Sequence, residues 1–260
     1  MTTVLTTIES GVATLTLNRP EQGNTIDMAL AHDLRAAAQA VSANAAVRCV
    51  MLTGLGRMFC AGGDIGAFAD AGDAAGAFIR KLADTLHEAV LILAGMDKPL
   101  IAAVNGPAAG AGLSLAAAAD IVIASEAAHF TAAYTAIGLT PDGGMSWLLP
   151  RLVGLRTAQE MILTNRRVSA AEAVSLGLIT RIVSADELAG EVQKLAIGLA
   201  GGPTAAFGDV RRLLAASSTS ALADQLDREA RTIAAAADGP EGREGVAAFL
   251  ARRRPSFHPD

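Results

Sequence analysis

Pro99-Leu100-Ile101-Ala102-Ala103-Val104-Asn105-Gly106-Pro107-Ala108-Ala109-Gly110-Ala111-Gly112-Leu113-Ser114-Leu115 is the stretch on which the reading of the chain turns. Leu100 to Val104 is short and wholly apolar, the pattern of a strand buried on both faces. Asn105-Gly106-Pro107 breaks it. Gly110, Ala111 and Gly112 follow, and an apolar helical pattern begins at once. A strand that ends in a small-residue turn and runs into a helix leaves backbone N–H groups without partners. The positive end of the helix dipole adds to their field. Only Gly and Ala stand over them, so an anion or a developing oxyanion has access. Close helix–strand packing would ask for the same small residues.

Around this stretch the chain has 260 residues, 52% apolar and 18% charged, enough for one large core. Its net charge of −5 and lack of basic runs argue against nucleic acid as a partner. Arg252, Arg253 and Arg254 are too few for such a footprint but suit a phosphate. Cys49 and Cys60 have no CxxC spacing and no histidine cluster beside them, so neither a disulfide framework nor a metal site is expected. Residues 99–119 carry no charge, yet Pro99, Asn105, Pro107 and three glycines interrupt them, so a buried strand–turn–helix is expected and not a membrane span. Without a basic-then-apolar leader, a cytoplasmic protein is expected.

The remaining pattern alternates. Thr3–Ile8 and Val12–Leu17 read as a hairpin about Glu9-Ser10-Gly11. A helix is expected over 28–41, a buried strand over 48–53, a helix over 74–94, and a strand over 120–124. Residues 130–144 read as a loop holding Tyr134 and Asp142. Helices are expected over 146–153 and 156–163, a strand over 179–183, then helices alone over 185–200, 204–216, 220–237 and 242–253. That is an α/β core over 1–200 with a helical region over 201–260. The Ala-rich late helices have narrow apolar faces, which suits an oligomer. Gly54-Leu55-Gly56 is not a dinucleotide fingerprint, because the third glycine position falls on Phe59.

Strands 48–53 and 100–104 share one form: each ends in a small-residue turn leading to a helix. Laid side by side and parallel, their turns open at one sheet edge. Gly63 N–H and Ala111 N–H then converge on one oxygen. Each such donor is worth about 3–4 kcal/mol to an oxyanionic transition state.

Phe59-Cys60-Ala61-Gly62-Gly63-Asp64-Ile65 and Asn105-Gly106-Pro107-Ala108-Ala109-Gly110-Ala111-Gly112 together resemble the crotonase (enoyl-CoA hydratase/isomerase) superfamily. So do Leu17-Asn18-Arg19-Pro20, Pro141-Asp142-Gly143-Gly144, Leu149-Pro150-Arg151, Ala171-Glu172-Ala173 and Phe249–Arg254, in that order along the chain. The resemblance implies a crotonase-like spiral of ββα units with a helical C-terminal trimerisation region. It implies a homotrimer or dimer of trimers, and an acyl-coenzyme A thioester as substrate with no further cofactor. Gly63 and Ala111 match the oxyanion-hole positions, with alanine where glycine is usual. Gln22, Gly23, Ala61, Asp64, Ile65 and Gly66 match the coenzyme A groove. Phe249 and Arg252 match positions at its adenine and phosphate end, often across a subunit boundary.

The resemblance leaves the reaction to the acid and base groups. The two glutamates of the family's hydratases correspond to Ser114 and Tyr134, which cannot replace two carboxylates in water addition. Asp142 matches an aspartate of the family's double-bond isomerases. A carboxylate there can take a proton from one carbon and return it two carbons away. His87 and Asp142 also resemble the 4-chlorobenzoyl-CoA dehalogenases, in which such an aspartate attacks the ring and the histidine activates water. His87, Ser114 and Tyr134 are therefore expected at the substrate pocket. Double-bond migration leads. Hydration under the family name and dehalogenase- or thioesterase-type hydrolysis through Asp142 and His87 are the enzymatic alternatives, and a non-catalytic acyl-CoA-binding subunit is the other. The aromatic content of 3% gives no sign of a ring-stacking pocket. His32, His129 and His258 read as surface or packing residues.

Overall fold

The computed structural model describes residues 2–257. His258 lies outside them. β1 (Val4–Glu9) and β2 (Val12–Leu17) form the expected hairpin. α1 (Met28–Ala43), β3 (Cys49–Gly54), α2 (Ile65–Asp70), α3 (Ala75–Gly95) and β4 (Leu100–Val104) follow. Then come β5 (Ala108–Ala109), α4 (Ala111–Ala117), β6 (Ile121–Ser125) and β7 (His129–Thr131). α5 (Met145–Val153), α6 (Leu155–Thr164), β8 (Val168–Ser169), α7 (Ala170–Ser175) and β9 (Arg181–Val183) complete the α/β part. α8 (Leu188–Ala200), α9 (Thr204–Ser217), α10 (Leu222–Asp238) and α11 (Pro240–Leu250) close the chain.

The larger sheet has the order β1-β2-β3-β4-β6-β9 and is parallel from β2 onward. Its central strands are buried on both faces because the two-residue alternation divides them between two cores. Leu15, Val50, Leu52, Ala102 and Val104 face α1 and α3. Val12, Cys49, Met51, Ile101 and Ala103 face Leu188, Val192 and Ala196 of α8. A smaller sheet, β5-β7-β8, was not expected, since strands of two or three residues show no periodicity. It corrects the start of the loop expected over 130–144: Phe130 and Thr131 pair with β5.

Buried polar groups fasten the layers. Lys98 Nζ donates to the carbonyls of Val41, Ser42 and Asn44 at 2.5, 2.9 and 2.7 Å, closing the C-terminal end of α1. Burial pushes this amine below its ordinary pKa. Asn24 is fully buried, and its amide donates to Leu55 O, Met58 O and Phe59 O. Arg211 of α9 donates to Leu93 O, Met96 O and Lys98 O and pairs with Asp120.

The two turns beyond β3 and β4 touch backbone to backbone. Ala109 N–H donates to Cys60 O at 2.9 Å, and Cys60 and Ala108 form a parallel bridge. A Cβ on Gly112 would overlap Cys60 O, and one on Gly106 would overlap Arg57 O. Gly112→Ala is therefore expected to lower the urea unfolding midpoint by an amount worth about 1–3 kcal/mol. Gly190→Ala, in open space on α8, is expected to hold or raise it by up to about 1 kcal/mol. Equal midpoints for the two variants would contradict the close contact.

Candidate active site

The site lies at the sheet edge where the two turns meet. Gly62 has φ +99° and Gly110 has φ +52° with ψ −126°, conformations that belong to glycine. Each glycine immediately precedes one expected oxyanion donor and sets the direction of its amide. Ala111 is the first residue of α4 and needs no unusual backbone, so its methyl costs nothing there. Gly62 N–H points back to Cys60 Sγ at 3.5 Å. Gly63 N–H and Ala111 N–H find no protein acceptor among the described residues. Burial pushes the Cys60 thiol up to about 12, so it is a packing group.

Both amides open into a cavity of about 540 Å³. α3 supplies one wall through Ile79, Leu82, Ala83 and Leu86, four positions on one helical face. Ile26, Ile65, Phe68, Ile137 and Leu139 line the rest, with Tyr134 and Asp142. Phe68 packs edge to face on Phe78 with ring centroids 6.3 Å apart. The low aromatic content thus conceals an aromatic wall. Asp142 is the one carboxylate among the described lining residues.

The loop that carries Asp142 is held on every side. Ser114 Oγ donates to Asp142 O at 2.9 Å. Gly143 N–H donates to His87 Nε2 at 3.0 Å. Tyr134 Oη donates to Asp142 Oδ1 at 2.5 Å. Gly143 has φ +61°, and a Cβ there would stand 2.9 Å from Ser114 Cβ. Because Nε2 accepts, His87 carries its proton on Nδ1. Burial, reinforced by the Asp142 charge, pushes the Tyr134 phenol well above its ordinary value, so it stays protonated.

Gly63, Ala111, Tyr134, Ala61, Ile65 and Asp142 line the one cavity. Ser114 and His87 are not among the lining residues and stand one layer behind, against the Asp142 loop. Ser114 is wholly buried, with its proton committed to the loop carbonyl, and the His87 ring lies behind Gly143. Gly23 O accepts from Ala61 N–H at 2.9 Å, setting the turn Pro20–Gln22 beside the turn that follows β3. Asp64 caps α2 by accepting from Ala67 N–H. Burial disfavours its charge, but that N–H and the Arg19 guanidinium at 3.1 Å hold its carboxyl below the usual range. Gln22, Gly23, Asp64 and Gly66 lie outside the cavity lining. Phe249 and Arg252 are exposed at the end of α11, also outside it.

The hydrogen bonds that Tyr134, Ser114 and His87 make to the Asp142 loop were not foreseen. Ala133, with φ +64°, carried no sequence signal at all. The helical spacing of Ile79, Leu82, Ala83 and Leu86 was the one signal for the cavity wall.

Comparison with known proteins agrees with this architecture. The family model for enoyl-CoA hydratase/isomerase matches residues 7–260. The chain is 40% identical to the 1,2-epoxyphenylacetyl-CoA isomerase of Escherichia coli K12, over 98% of this chain and 97% of that one. It is 32% identical to a 4-chlorobenzoyl coenzyme A dehalogenase of Arthrobacter, over 93% and 88% of the two chains. A crystal structure of an enoyl-CoA hydratase from Polaromonas superposes with a TM-score of 0.94 at 33% identity, covering 98% of this chain and 99% of the other. With the crotonase fold, the paired turns and a family match over nearly its whole length, this chain belongs to the enoyl-CoA hydratase/isomerase family.

Proposed function

We propose that this family member moves a double bond along the acyl chain of a coenzyme A thioester, from the 3- to the 2-enoyl position. The observation that carries the proposal is a cavity with two unengaged N–H donors and one carboxylate. Gly63 N–H and Ala111 N–H hold the thioester oxygen and stabilise the enolate. Asp142 removes the proton from C2 and returns it to C4. Water addition needs a second acid–base group, and the corresponding positions hold Ser114 and Tyr134, both engaged with the Asp142 loop.

The similarity to a dehalogenase raises a second reading, in which Asp142 is a nucleophile and His87 activates water. The Gly143 N–H on His87 Nε2 counts against it, because the lone pair a base requires is already engaged. An epoxyphenylacetyl-CoA isomerase among the relatives fits the first reading and brings aryl-substituted acyl groups within its scope. The cavity volume and the Phe68 wall favour such bulky apolar groups.

Coenzyme A is assigned to the groove of Gln22, Gly23, Ala61, Asp64, Ile65 and Gly66. Phe249 and Arg252 of a neighbouring copy complete it in a homotrimer or dimer of trimers. The exposed apolar side chains of α10 and α11, such as Leu222, Ile233, Phe249 and Leu250, support that assembly.

Asp142→Asn is expected to lower kcat for 3-enoyl-CoA by about 10²–10⁴-fold while acyl-CoA binding persists. Full isomerase activity in this variant would overturn the proposal. Wild-type binding of thioesters with no turnover across 3-enoyl, 2-enoyl and aryl substrates would leave a non-catalytic subunit instead. Glutamine can accept the Gly143 N–H but cannot serve as a base, so His87→Gln is expected to stay within about fivefold of wild type. A loss of about 10²-fold or more, with an ester trapped on Asp142, would favour the nucleophilic reading.

A further inference from the structure

The contact between Tyr134 and Asp142 goes beyond a pocket wall. Tyr134 stands at the start of the short turn Thr135–Ile137, immediately after Ala133. Ala133 adopts φ +64°, a conformation that strains a residue bearing a Cβ. The chain accepts that strain at the residue that aims the phenol into the site. The ring abuts the other half of the site: a Cβ on Gly110 would lie 3.9 Å from Tyr134 Cζ. Gly110 aims the Ala111 amide. One side chain thus spans the oxyanion turn and the base.

The two oxygens of Asp142 are not equivalent. Oδ1 accepts from Tyr134 Oη at 2.5 Å. Oδ2 lies 3.9 Å from His87 Nε2, beyond hydrogen-bond reach, and receives no donor among the described residues. The backbone cannot turn the carboxylate over, because Ser114 holds the Asp142 carbonyl and His87 holds the Gly143 amide. Ser114 Oγ, 3.4 Å from Tyr134 Oη, has its one proton on the loop carbonyl and cannot compete for Oδ1.

We infer that Tyr134 is the positioning residue of the proton shuttle: by holding Asp142 Oδ1 it assigns the travelling proton to Oδ2 and keeps it there until it is returned to the same substrate molecule. This rests on the reading of Asp142 as the shuttle. The C2–H bond breaks and its electron pair passes into the thioester enolate, while the proton forms an Oδ2–H bond. That bond then breaks, C4 takes the proton, and the double bond moves from C3–C4 to C2–C3. The carboxylate is regenerated and nothing is oxidised or reduced. A carboxylic acid free at both oxygens rotates and exchanges its proton with water. Clamped at Oδ1 by a phenol that keeps its own proton, this one is held from rotating, so its proton stays on Oδ2 beside the substrate.

The test is a single turnover of 3-enoyl-CoA deuterated at C2, in ordinary water, with deuterium at C4 of the product measured by mass spectrometry. The wild type is expected to deliver most of the label to C4. Tyr134→Phe keeps the ring and removes the donor. It is expected to lower kcat by about tenfold to a hundredfold with KM within about twofold, and to deliver only a minor share of the label. Wild-type label transfer in Tyr134→Phe, whatever its kcat and KM, would overturn the inference and return Tyr134 to the pocket wall. Free washout of label in the wild type would overturn it as well. A wild type that does not turn over, or an Asp142→Asn variant that does, would instead strike at the reading of Asp142.

Discussion

The contact that the rest of the structure depends on is between two pieces of backbone. The turns after β3 and β4 approach until Ala109 N–H reaches Cys60 O and Gly112 lies against the same carbonyl. A side chain on either turn would part them. The parallel register of β3 and β4 brings the turns to one edge, and the glycines let them close. Gly62 and Gly110 then take conformations that other residues avoid, and each directs the next amide into the cavity. The two unengaged donors are therefore a property of chain path. They need no side chain, which is why an alanine serves at position 111.

The loop proposed to carry the base is built on the opposite principle. Asp142 sits on a loop with glycines at 138, 143 and 144 in left-handed conformations, which by itself would hold nothing still. Side chains supply the rigidity. Ser114 comes from α4, His87 from α3 and Tyr134 from the segment after β7, and each is hydrogen-bonded to the loop. The sequence resemblance sets Ser114 and Tyr134 against the two glutamates of the family's hydratases. Here those positions orient a single carboxylate. On the proposed reading, donors come from backbone and the base from a clamped loop, so the two can vary independently on one scaffold.

Much of this was legible in the residues. The doubled strand–turn–helix of 48–65 and 99–115 carried both the parallel sheet and the paired amides, because small residues at turns and apolar runs in strands are strong local signals. Asp142 was legible through Pro141-Asp142-Gly143-Gly144. What escaped was set by long-range contacts. The small sheet of β5, β7 and β8 has strands too short for any period. The hydrogen bonds of His87 and Ser114 to the Asp142 loop depend on where a distant loop passes. The left-handed Ala133 is dictated by tertiary packing against its local preference, and no propensity points to it. Phe68 became a cavity wall because the six-residue helix α2 folds back over Gly63, a placement no periodicity encodes.

The central claim is that the two amides, and not the acid–base residues, hold the thioester oxygen. It is tested most directly by isotope-edited infrared spectroscopy of an unreactive acyl-CoA with a ¹³C-labelled thioester carbonyl. Bound to the wild type, that carbonyl is expected to stretch at lower frequency than in water, because two N–H groups polarise it. Asp142→Asn is expected to leave the shift in place, and Gly62→Ala to reduce it, since a Cβ there would stand 2.9 Å from Ala109 O and misdirect the Gly63 amide. A bound carbonyl at its solution frequency, or a shift that disappears with Asp142 and survives in Gly62→Ala, would contradict the account.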